Sequence, residues 1–193
     1  HGGGTYVADI IGQVFSKPVA DLFSTHRKAS NDYLEYRREI EGITAEYAAR
    51  RATTDDIALL DAIMVRMEET HRNGDFDDEA EIDVEFHQAV GECAHNIILL
   101  HTLRSCYRLL SEGVFHNRLL VFTLPGAREA LLSQHRAIHA AVKAADPLAA
   151  RQAAMDHIDY VERSMHDAER SGEWQRVSRL RLRQRSTTNE PNS

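Results

Sequence analysis

The chain has 193 residues, enough for one domain or two small ones, and its hydrophobic fraction of 42% and charged fraction of 27% are ordinary for a soluble globular protein. A net charge of −7 argues against nucleic-acid binding by this chain alone, because phosphate binding requires a concentrated basic surface. No apolar run approaches the roughly 18 residues of a membrane helix, so we expect no membrane partner, and Cys93 and Cys106 fall within helical patterns typical of a reduced, cytoplasmic protein.

The first residues predict a turn and a short strand, followed by a linker. The stretch GGGTYV at residues 2–7 is typical of a tight turn that leads into a strand. We interpret the residues from there to about Ser30 as a linker. Because residue 1 is His rather than Met, we expect the chain to be a piece of a longer protein. Residues 1–29 are therefore assigned to the end of one domain and a linker.

Six or seven helices are predicted after this linker, so we expect an all-α fold. Glycine and proline are scarce there, and Ala, Leu, Glu and Arg, which favour helices, dominate. Gly74 is a natural C-cap, and Asp146 followed by Pro147 combines an N-cap with proline at the first helical position. The predicted helices span residues 31–52, 54–73, 77–94, 97–112, 115–123, 126–145 and 147–172. We assign residues 30–172 to one helical domain and residues 173–193 to a basic, partly disordered tail.

Helical spacing directs one histidine of each of two helices towards the interior. In the sixth helix, His135 shares a row with Leu131, Ile138 and Val142, whereas His139 lies on a neighbouring polar row. The corresponding row of the seventh helix contains Ala150, Ala154, His157 and Val161. His135 and His157 are therefore expected to point inward.

The third helix adds a carboxylate and another imidazole. Asp83 and His87 are four residues apart, so a helix carries both on one face. That face borders the apolar row of Ile82, Phe86 and Cys93. Asp83 and His87 are therefore expected at the edge of the core or inside it.

Three helices thus direct Asp83, His87, His135 and His157 towards an interior, which permits two interpretations. Burying an ionised carboxylate and three imidazoles costs several kcal/mol unless they are paired or bound to metal. One divalent ion satisfies all four, and the donor set suits Zn²⁺, Ni²⁺, Mn²⁺ or Fe²⁺, of which we favour Zn²⁺ or Ni²⁺. The alternative is that each histidine is a hydrogen-bonded core residue, and spacing alone leaves both interpretations open.

The segments that carry these residues resemble a known family. DVEFHQAVGECAHNIILLHTLRS and SQHRAIHAAVKAADPLAARQAAMDHIDYV are similar to the ligand-binding (FCD) domain of the FadR subfamily of GntR transcriptional regulators. The resemblance is strongest to repressors of the pyruvate-dehydrogenase-complex type and their lactate or glycolate relatives. YLEYRREIEG resembles the first helix of these domains, and GGGTYVA resembles the strand that closes the family's winged helix. The residues that match the family pattern are Asp83, Phe86, His87, Asn96, His135 and His157.

The resemblance implies an antiparallel bundle of six or seven helices that forms a homodimer and holds a metal ion with the four-residue set. It also implies a small carboxylate effector, such as pyruvate, lactate, glycolate or a dicarboxylate. A further implied partner is operator DNA, bound by a winged-helix domain largely absent from this sequence. Candidate effector-binding residues are Arg37, Asn96 and Arg104. Each also has an ordinary structural interpretation. Arg37 would form a surface ion pair with Glu41, Asn96 would cap a helix, and Arg104 would form an ion pair.

Two other functions compete with effector sensing. A metal with open coordination positions can activate water, as in a hydrolase, but the nearest carboxylate, Glu85, lies on a different helix face. We therefore expect no enzymatic activity and no catalytic residue. The second competitor is a structural dimer in which a metal only links helices. The basic tail invites a DNA-binding role, but we favour a solvated helix end or a disordered tail.

Overall fold

The computed structural model describes residues 15, 17–74, 76–111, 121–122 and 124–188, and every regular element within these ranges is a helix. The helices are α1 (Lys17–Thr25), α2 (Arg27–Arg51), α3 (Thr54–Asn73), α4 (Phe76–Cys93), α5 (Ile97–Ser111), α6 (Ala127–Lys143) and α7 (Pro147–Thr188). The predicted all-α fold is therefore confirmed. The GGGTYV stretch and most of the predicted helix at 115–123 lie outside the described residues. None of the described helices has a segment long and apolar enough to cross a bilayer.

The predicted helix boundaries hold to within a few residues except near the two ends. The predicted linker contains α1 and the start of α2, and α7 continues to Thr188 instead of ending near Gly172. Helix α1 packs an aromatic side chain on α2, where the ring centroids of Phe23 and Tyr33 are 5.3 Å apart. No glycine or proline follows Gly172 within α7, so nothing in that sequence interrupts the helix. Our division of the chain into three segments stays a prediction.

Local caps set the ends of the helices and keep the connections short. At the start of α3, the Thr53 hydroxyl accepts the backbone N–H of Asp56 at 3.2 Å, and the Asp56 carboxylate accepts the N–H of Thr53 at 2.7 Å. Helix α3 ends at Gly74, whose φ of 78° is a left-handed conformation that glycine adopts at little cost. The Asp146 carboxylate accepts the N–H of Ala149 at the start of α7. Short connections of this kind make successive helices run antiparallel.

Helix α2 is the central element, because it packs against α1, α4, α5, α6 and α7. Helix α7 also lies on α6, and α3 lies on both α4 and α6. Gly42 allows α2 to approach α7 closely, since a Cβ at this position would lie 2.9 Å from Cγ of Met155. Both helices contribute small side chains to one core cluster, namely Ala45, Ala48, Ala49, Ala150 and Ala154. The buried polar residues of α2 are thereby brought close to α7.

The apolar core has two parts, and the polar cluster described below lies between them. His87 contacts Phe86, which belongs to one part, and Tyr107, which belongs to the other. Cys93 and Cys106 are both free and buried, one in each part. Burial raises the pKa of each thiol to about 12, so both cysteines act as small apolar residues and not as nucleophiles.

Replacing Thr53 with Ala should destabilise the fold, because the Asp56 N–H at the start of α3 loses its acceptor. We expect the free energy of unfolding to fall by about 1 kcal/mol, the usual effect of losing an N-cap. Urea denaturation followed by circular dichroism measures this change. Thr54→Ala, at an exposed position outside the capping box, is the matched control, and an equal loss in both variants would contradict the capping role.

Candidate metal centre

Four buried side chains from three helices converge inside the bundle, at the positions that helical spacing predicts. Asp83 and His87 come from α4, His135 from α6 and His157 from α7. Each offers one nitrogen or oxygen atom, and these atoms all lie within 4.8 Å of one another. None of the four residues is more than 7% exposed, so the cluster is shielded from bulk solvent.

The separations within the cluster suit a single metal ion. Nε2 of His135 lies 3.2 Å from Nε2 of His87 and 3.1 Å from Oδ1 of Asp83. Nε2 of His87 and Oδ1 of Asp83 are 3.9 Å apart. Ligand atoms about 2.1 Å from one ion are separated by roughly 3 Å when adjacent in an octahedron and roughly 4.2 Å when opposite. All three separations fall in that interval and are compatible with one ion that contacts all three atoms.

Hydrogen bonds on the outer nitrogens orient two of the imidazoles. Nδ1 of His87 lies 2.8 Å from Oε2 of Glu41, and Nδ1 of His157 lies 2.9 Å from Oε1 of Gln134. An oxygen acceptor at this place favours an N–H on Nδ1, so the lone pair of the neutral ring is on Nε2. Metal-binding histidines have the same arrangement, in which an outer oxygen fixes the tautomer and the ring orientation.

A buried ion pair supports His87 from the side opposite the cluster. Nε of Arg37 donates to Oε1 of Glu41 at 2.5 Å, and the Tyr107 hydroxyl donates to the same oxygen at 2.8 Å. Nη2 of Arg37 donates to the Tyr107 oxygen, also at 2.5 Å. The Tyr107 ring stacks on His87 with centroids 5.0 Å apart. Helices α2, α4 and α5 are therefore joined by polar contacts beside the cluster.

These contacts determine the charge on each partner. Burial alone would raise the pKa of Glu41, but the positive charge of Arg37, together with hydrogen bonds from His87 and Tyr107, outweighs burial and holds this pKa at about 2. Burial raises the pKa of Tyr107 well above its usual value, so its hydroxyl stays a neutral donor. Glu41 is therefore a carboxylate throughout the neutral pH range, and it favours a proton on Nδ1 of His87.

The sequence offered two roles for Arg37, effector binding or a surface ion pair with Glu41, and the structure has features of both. Arg37 pairs with Glu41, but the pair is buried and not on the surface, because Arg37 is only 2% exposed. Arg37 also lines a cavity of about 320 Å³, part of it open to solvent, that Asp83 and His157 border. The alternative of a surface arginine is therefore wrong, and the ion pair and the cavity occur together.

A second cavity, of about 300 Å³ including open solvent, borders the cluster between α3, α4 and α6. Asp83 and His135 lie in its wall, as does Arg128 near the start of α6. Three residues, Asp83, Phe122 and Leu131, line both cavities. The two spaces therefore adjoin at the cluster, which can be approached from either.

Asn96 and Arg104 make ordinary structural contacts, an N-cap and an ion pair, and not contacts with a ligand cavity. The Asn96 side-chain oxygen accepts the N–H groups of Ile98 at 3.0 Å and Leu99 at 3.2 Å, which makes it the N-cap of α5. Arg104 donates to Glu92 at 2.6 Å. Neither residue lines the two cavities described above. Their effector-binding role stays a prediction that no described contact supports.

Sequence reasoning missed the outer partners of the histidines. Glu41 was considered only as a partner of Arg37, although both lie on a row of α2 that also carries the buried residues Tyr33 and Thr44. That row was a usable signal, because charged residues at core positions require partners. Gln134 gave no comparable signal, because its contact depends on how α6 crosses α7.

Comparison with known proteins assigns the chain to a family. Residues 32–160, most of the chain, match the FCD domain, and the match includes all four residues of the cluster. The chain belongs to the FCD domain family. Structural neighbours of this FCD domain include Streptococcus agalactiae GntR, with a TM-score of 0.59 and 27% identity over 74% of this chain and 63% of that one. Escherichia coli McbR/YncC, with a TM-score of 0.60 and 15% identity over 75% of this chain and 66% of that one, shares the fold.

The curated relatives are named as regulators. The "Putative L-lactate dehydrogenase operon regulatory protein" of Escherichia coli (strain K12) is 35% identical over 168 residues, which cover 85% of this chain and 64% of that protein. The Glc operon transcriptional activator of the same strain is 30% identical over 81% of this chain and 63% of its own length. LutR, an HTH-type transcriptional regulator of Bacillus subtilis (strain 168), is 25% identical over 83% of this chain and 73% of LutR. The FCD domain chain thus spans less than two thirds of the two Escherichia coli proteins.

Arg37→Met should destabilise the metal-free protein strongly, because the change leaves Glu41 as a buried charge without its cation. We expect a loss of about 3–5 kcal/mol in the free energy of unfolding, measured by urea denaturation. Adding Glu41→Gln to this variant should recover part of that loss.

Arg50→Met is the matched control, since Arg50 pairs with Glu46 at the same spacing on the same helix but is half exposed. The control should lose no more than about 1 kcal/mol. If the two single variants lost similar amounts, the buried pair would not have the structural role assigned to it.

Proposed function

We propose that this FCD domain is the effector-sensing part of a GntR-type transcriptional regulator, and that it binds one divalent metal ion and a small carboxylate. The observation that carries the proposal is the convergence of Asp83, His87, His135 and His157, whose ligand atoms lie within 4.8 Å of one another. The names of the relatives, which are regulators of operons, support a regulatory role.

The four converging residues are suited to hold the ion. Three imidazole nitrogens and one carboxylate oxygen suit Zn²⁺ or Ni²⁺, with Mn²⁺ and Fe²⁺ as further candidates. Glu41 and Gln134 would keep two of the imidazoles in the tautomer that a metal requires. When bound, an ion with more than four coordination positions offers open positions to oxygen atoms of an effector.

Arg37 is placed to orient the carboxylate of the effector. It lines the cavity that Asp83 and His157 border. A guanidinium has five N–H donors, and the contacts with Glu41 and Tyr107 involve only Nε and Nη2, so neither contact uses the donors on Nη1. Planar carboxylates are bound well by such a group. Pyruvate, lactate and glycolate each carry the single carboxylate that Arg37 would bind.

Regulation would follow from a shift between two arrangements of the domain. In the full-length protein we expect a homodimer whose winged-helix domains bind operator DNA. An effector can shift the equilibrium only by the difference in its affinity for the two arrangements. The ion pair of Arg37 with Glu41 supports this coupling, because it links α2 to His87 on α4 and, through Tyr107, to α5.

Two nearby carboxylates are poorly suited to be the general base that a hydrolase would need. Glu85 forms an exposed ion pair with Arg66, with contacts of 2.7 and 2.9 Å, and is engaged away from the cluster. Glu41 has a pKa of about 2, far below the value that makes an effective base near neutral pH. These contacts favour sensing over hydrolysis.

His157→Ala should remove a metal ligand and so lower the occupancy of the site. After reconstitution with Zn²⁺ or Ni²⁺ and dialysis, elemental analysis should find close to one ion per wild-type chain and a clear loss in the variant, since removing a ligand weakens metal affinity by at least about 100-fold. The melting temperature of the wild type should rise with the metal and fall again with a chelator.

His166→Ala is the matched control, because His166 lies on the same helix but is one-third exposed. It should retain metal as the wild type does. Full occupancy in the His157 variant would show that the ligand assignment is wrong.

Metal-loaded wild-type protein should release heat on titration with at least one of pyruvate, L-lactate and glycolate, and metal-free protein should bind it much more weakly. Isothermal titration calorimetry measures both, and mass spectrometry of the recovered ligand tests for conversion. Absence of heat with all three would favour a metal that only links helices, and a converted ligand would favour an enzyme.

A further inference from the structure

A second ion pair, between the buried Glu79 and the partly exposed Arg128, lies in the wall of the cavity between α3, α4 and α6. Asp83 and His135 border this cavity at the cluster, and Glu79 and Arg128 lie elsewhere in its wall. Glu79 precedes Asp83 by four residues on α4, and Arg128 precedes His135 by seven residues on α6. Helical spacing therefore puts each on the same face as a cluster residue, one or two turns away.

Glu79 and Arg128 are tightly bound to each other. Nε of Arg128 lies 3.1 and 2.9 Å from the two oxygens of Glu79, and Nη2 of Arg128 also donates to Glu79. The same Nη2 donates to the backbone carbonyl of His71 at 2.7 Å. The Glu79 side chain is only 8% exposed. A carboxylate held in this two-pronged manner cancels the charge of Arg128 within the cavity.

The rest of this cavity wall offers little to a second anionic group. Besides His71, the other lining residues are apolar, namely Met67, Ile82, Phe122, Leu131 and Leu132. A carboxylate that entered this space would lose water without gaining an available cation, and Glu79 would repel it. An uncharged tail, such as a methyl group, meets no such penalty.

The two cavities share part of their walls. Asp83, Phe122 and Leu131 line both, so the space beside Arg37 adjoins the space beside Arg128. An effector bound near Arg37 would therefore lie next to the second ion pair, with Asp83 between them.

We propose that Glu79 is a specificity-determining residue, which neutralises Arg128 so that the site selects monocarboxylates with an uncharged tail and rejects dicarboxylates. This inference rests on the proposed function, since it takes a carboxylate bound at the cluster as its starting point. The two arginines differ in how their carboxylate partners hold them, because Glu41 contacts only Nε of Arg37, whereas Glu79 contacts both Nε and Nη2 of Arg128.

Calorimetry with three related ligands separates charge from size. L-Lactate, L-malate and the C4 monoamide of L-malate share the hydroxy-acid end, and the monoamide has the size of malate without its second charge. Metal-loaded wild-type protein should bind lactate and the monoamide, and malate at least about tenfold more weakly than the monoamide. Elemental analysis after each titration checks that malate has not removed the metal.

Two variants assign this preference to Glu79. Glu79→Gln exposes Arg128 to the ligand, so malate should gain at least about tenfold relative to the monoamide. Adding Arg128→Gln removes the cation as well and should restore the wild-type ratio. Glu68→Gln is the matched control, since Glu68 of α3 forms an exposed ion pair with Arg136, which lies on α6 as Arg128 does. This variant should leave the ratio of malate to monoamide affinity unchanged.

The outcomes separate this inference from the proposed function. Equal binding of malate and its monoamide by the wild type, or an unchanged ratio in a folded Glu79→Gln variant, would overturn the inference alone. If that variant does not fold, the inference is tested by the ratio of malate to monoamide affinity in the wild type and in the double variant. Failure of lactate, pyruvate and glycolate all to bind the metal-loaded wild type would overturn the proposed function and this inference with it.

Discussion

The fold is organised around the burial of three imidazoles and a carboxylate at one point between α4, α6 and α7. Polar groups removed from water must be paired, hydrogen-bonded or bound to metal, or the folded state loses several kcal/mol. The bundle meets this requirement from outside with Glu41 and Gln134, which accept from the outer ring nitrogens. The inner atoms are left facing one another at distances suited to one ion. The geometry of the site follows from this division of the His87 and His157 rings into an outer, hydrogen-bonded nitrogen and an inner one.

The same arrangement provides a route by which the proposed effector would influence the whole domain. Helix α2 packs on five other helices and carries both Arg37 and Glu41. Arg37 borders the cavity, Glu41 contacts His87, and Tyr107 of α5 contacts both. A ligand that changes the contacts of Arg37 therefore acts on the helix with the most packing partners. In the selectivity that we propose, the second ion pair uses the same combination of a carboxylate and an arginine, with Glu79 on Arg128, to determine which ligand binds.

Helical spacing was sufficient to predict that the four residues point inward, but it could not predict that they meet at one point or which outer partners they have. Asp83, His87, His135 and His157 each lie on or beside an apolar row, and the buried face of a helix is recorded in its own sequence with a period of 3.6 residues. Contacts such as those of Tyr107 and Gln134 depend on how two helices cross, which no single helix records. Helix α1 was missed for a related reason, since Phe23 packs on Tyr33 of α2, a contact that the sequence of α1 alone does not record. The ends of the chain were predicted least well, because there the core provides no periodic constraint.

X-ray absorption spectroscopy at the metal edge tests the central claim most directly, because it reports the ligand atoms around the ion in solution. The account predicts one ion per chain surrounded by nitrogen and oxygen atoms at about 2.0–2.2 Å, with the multiple-scattering signal of three imidazoles. A sulfur shell near 2.3 Å would contradict it, since that would place a cysteine on the metal. A spectrum with water oxygens and no imidazole signal would contradict it equally, because the ion would then be bound outside the buried cluster.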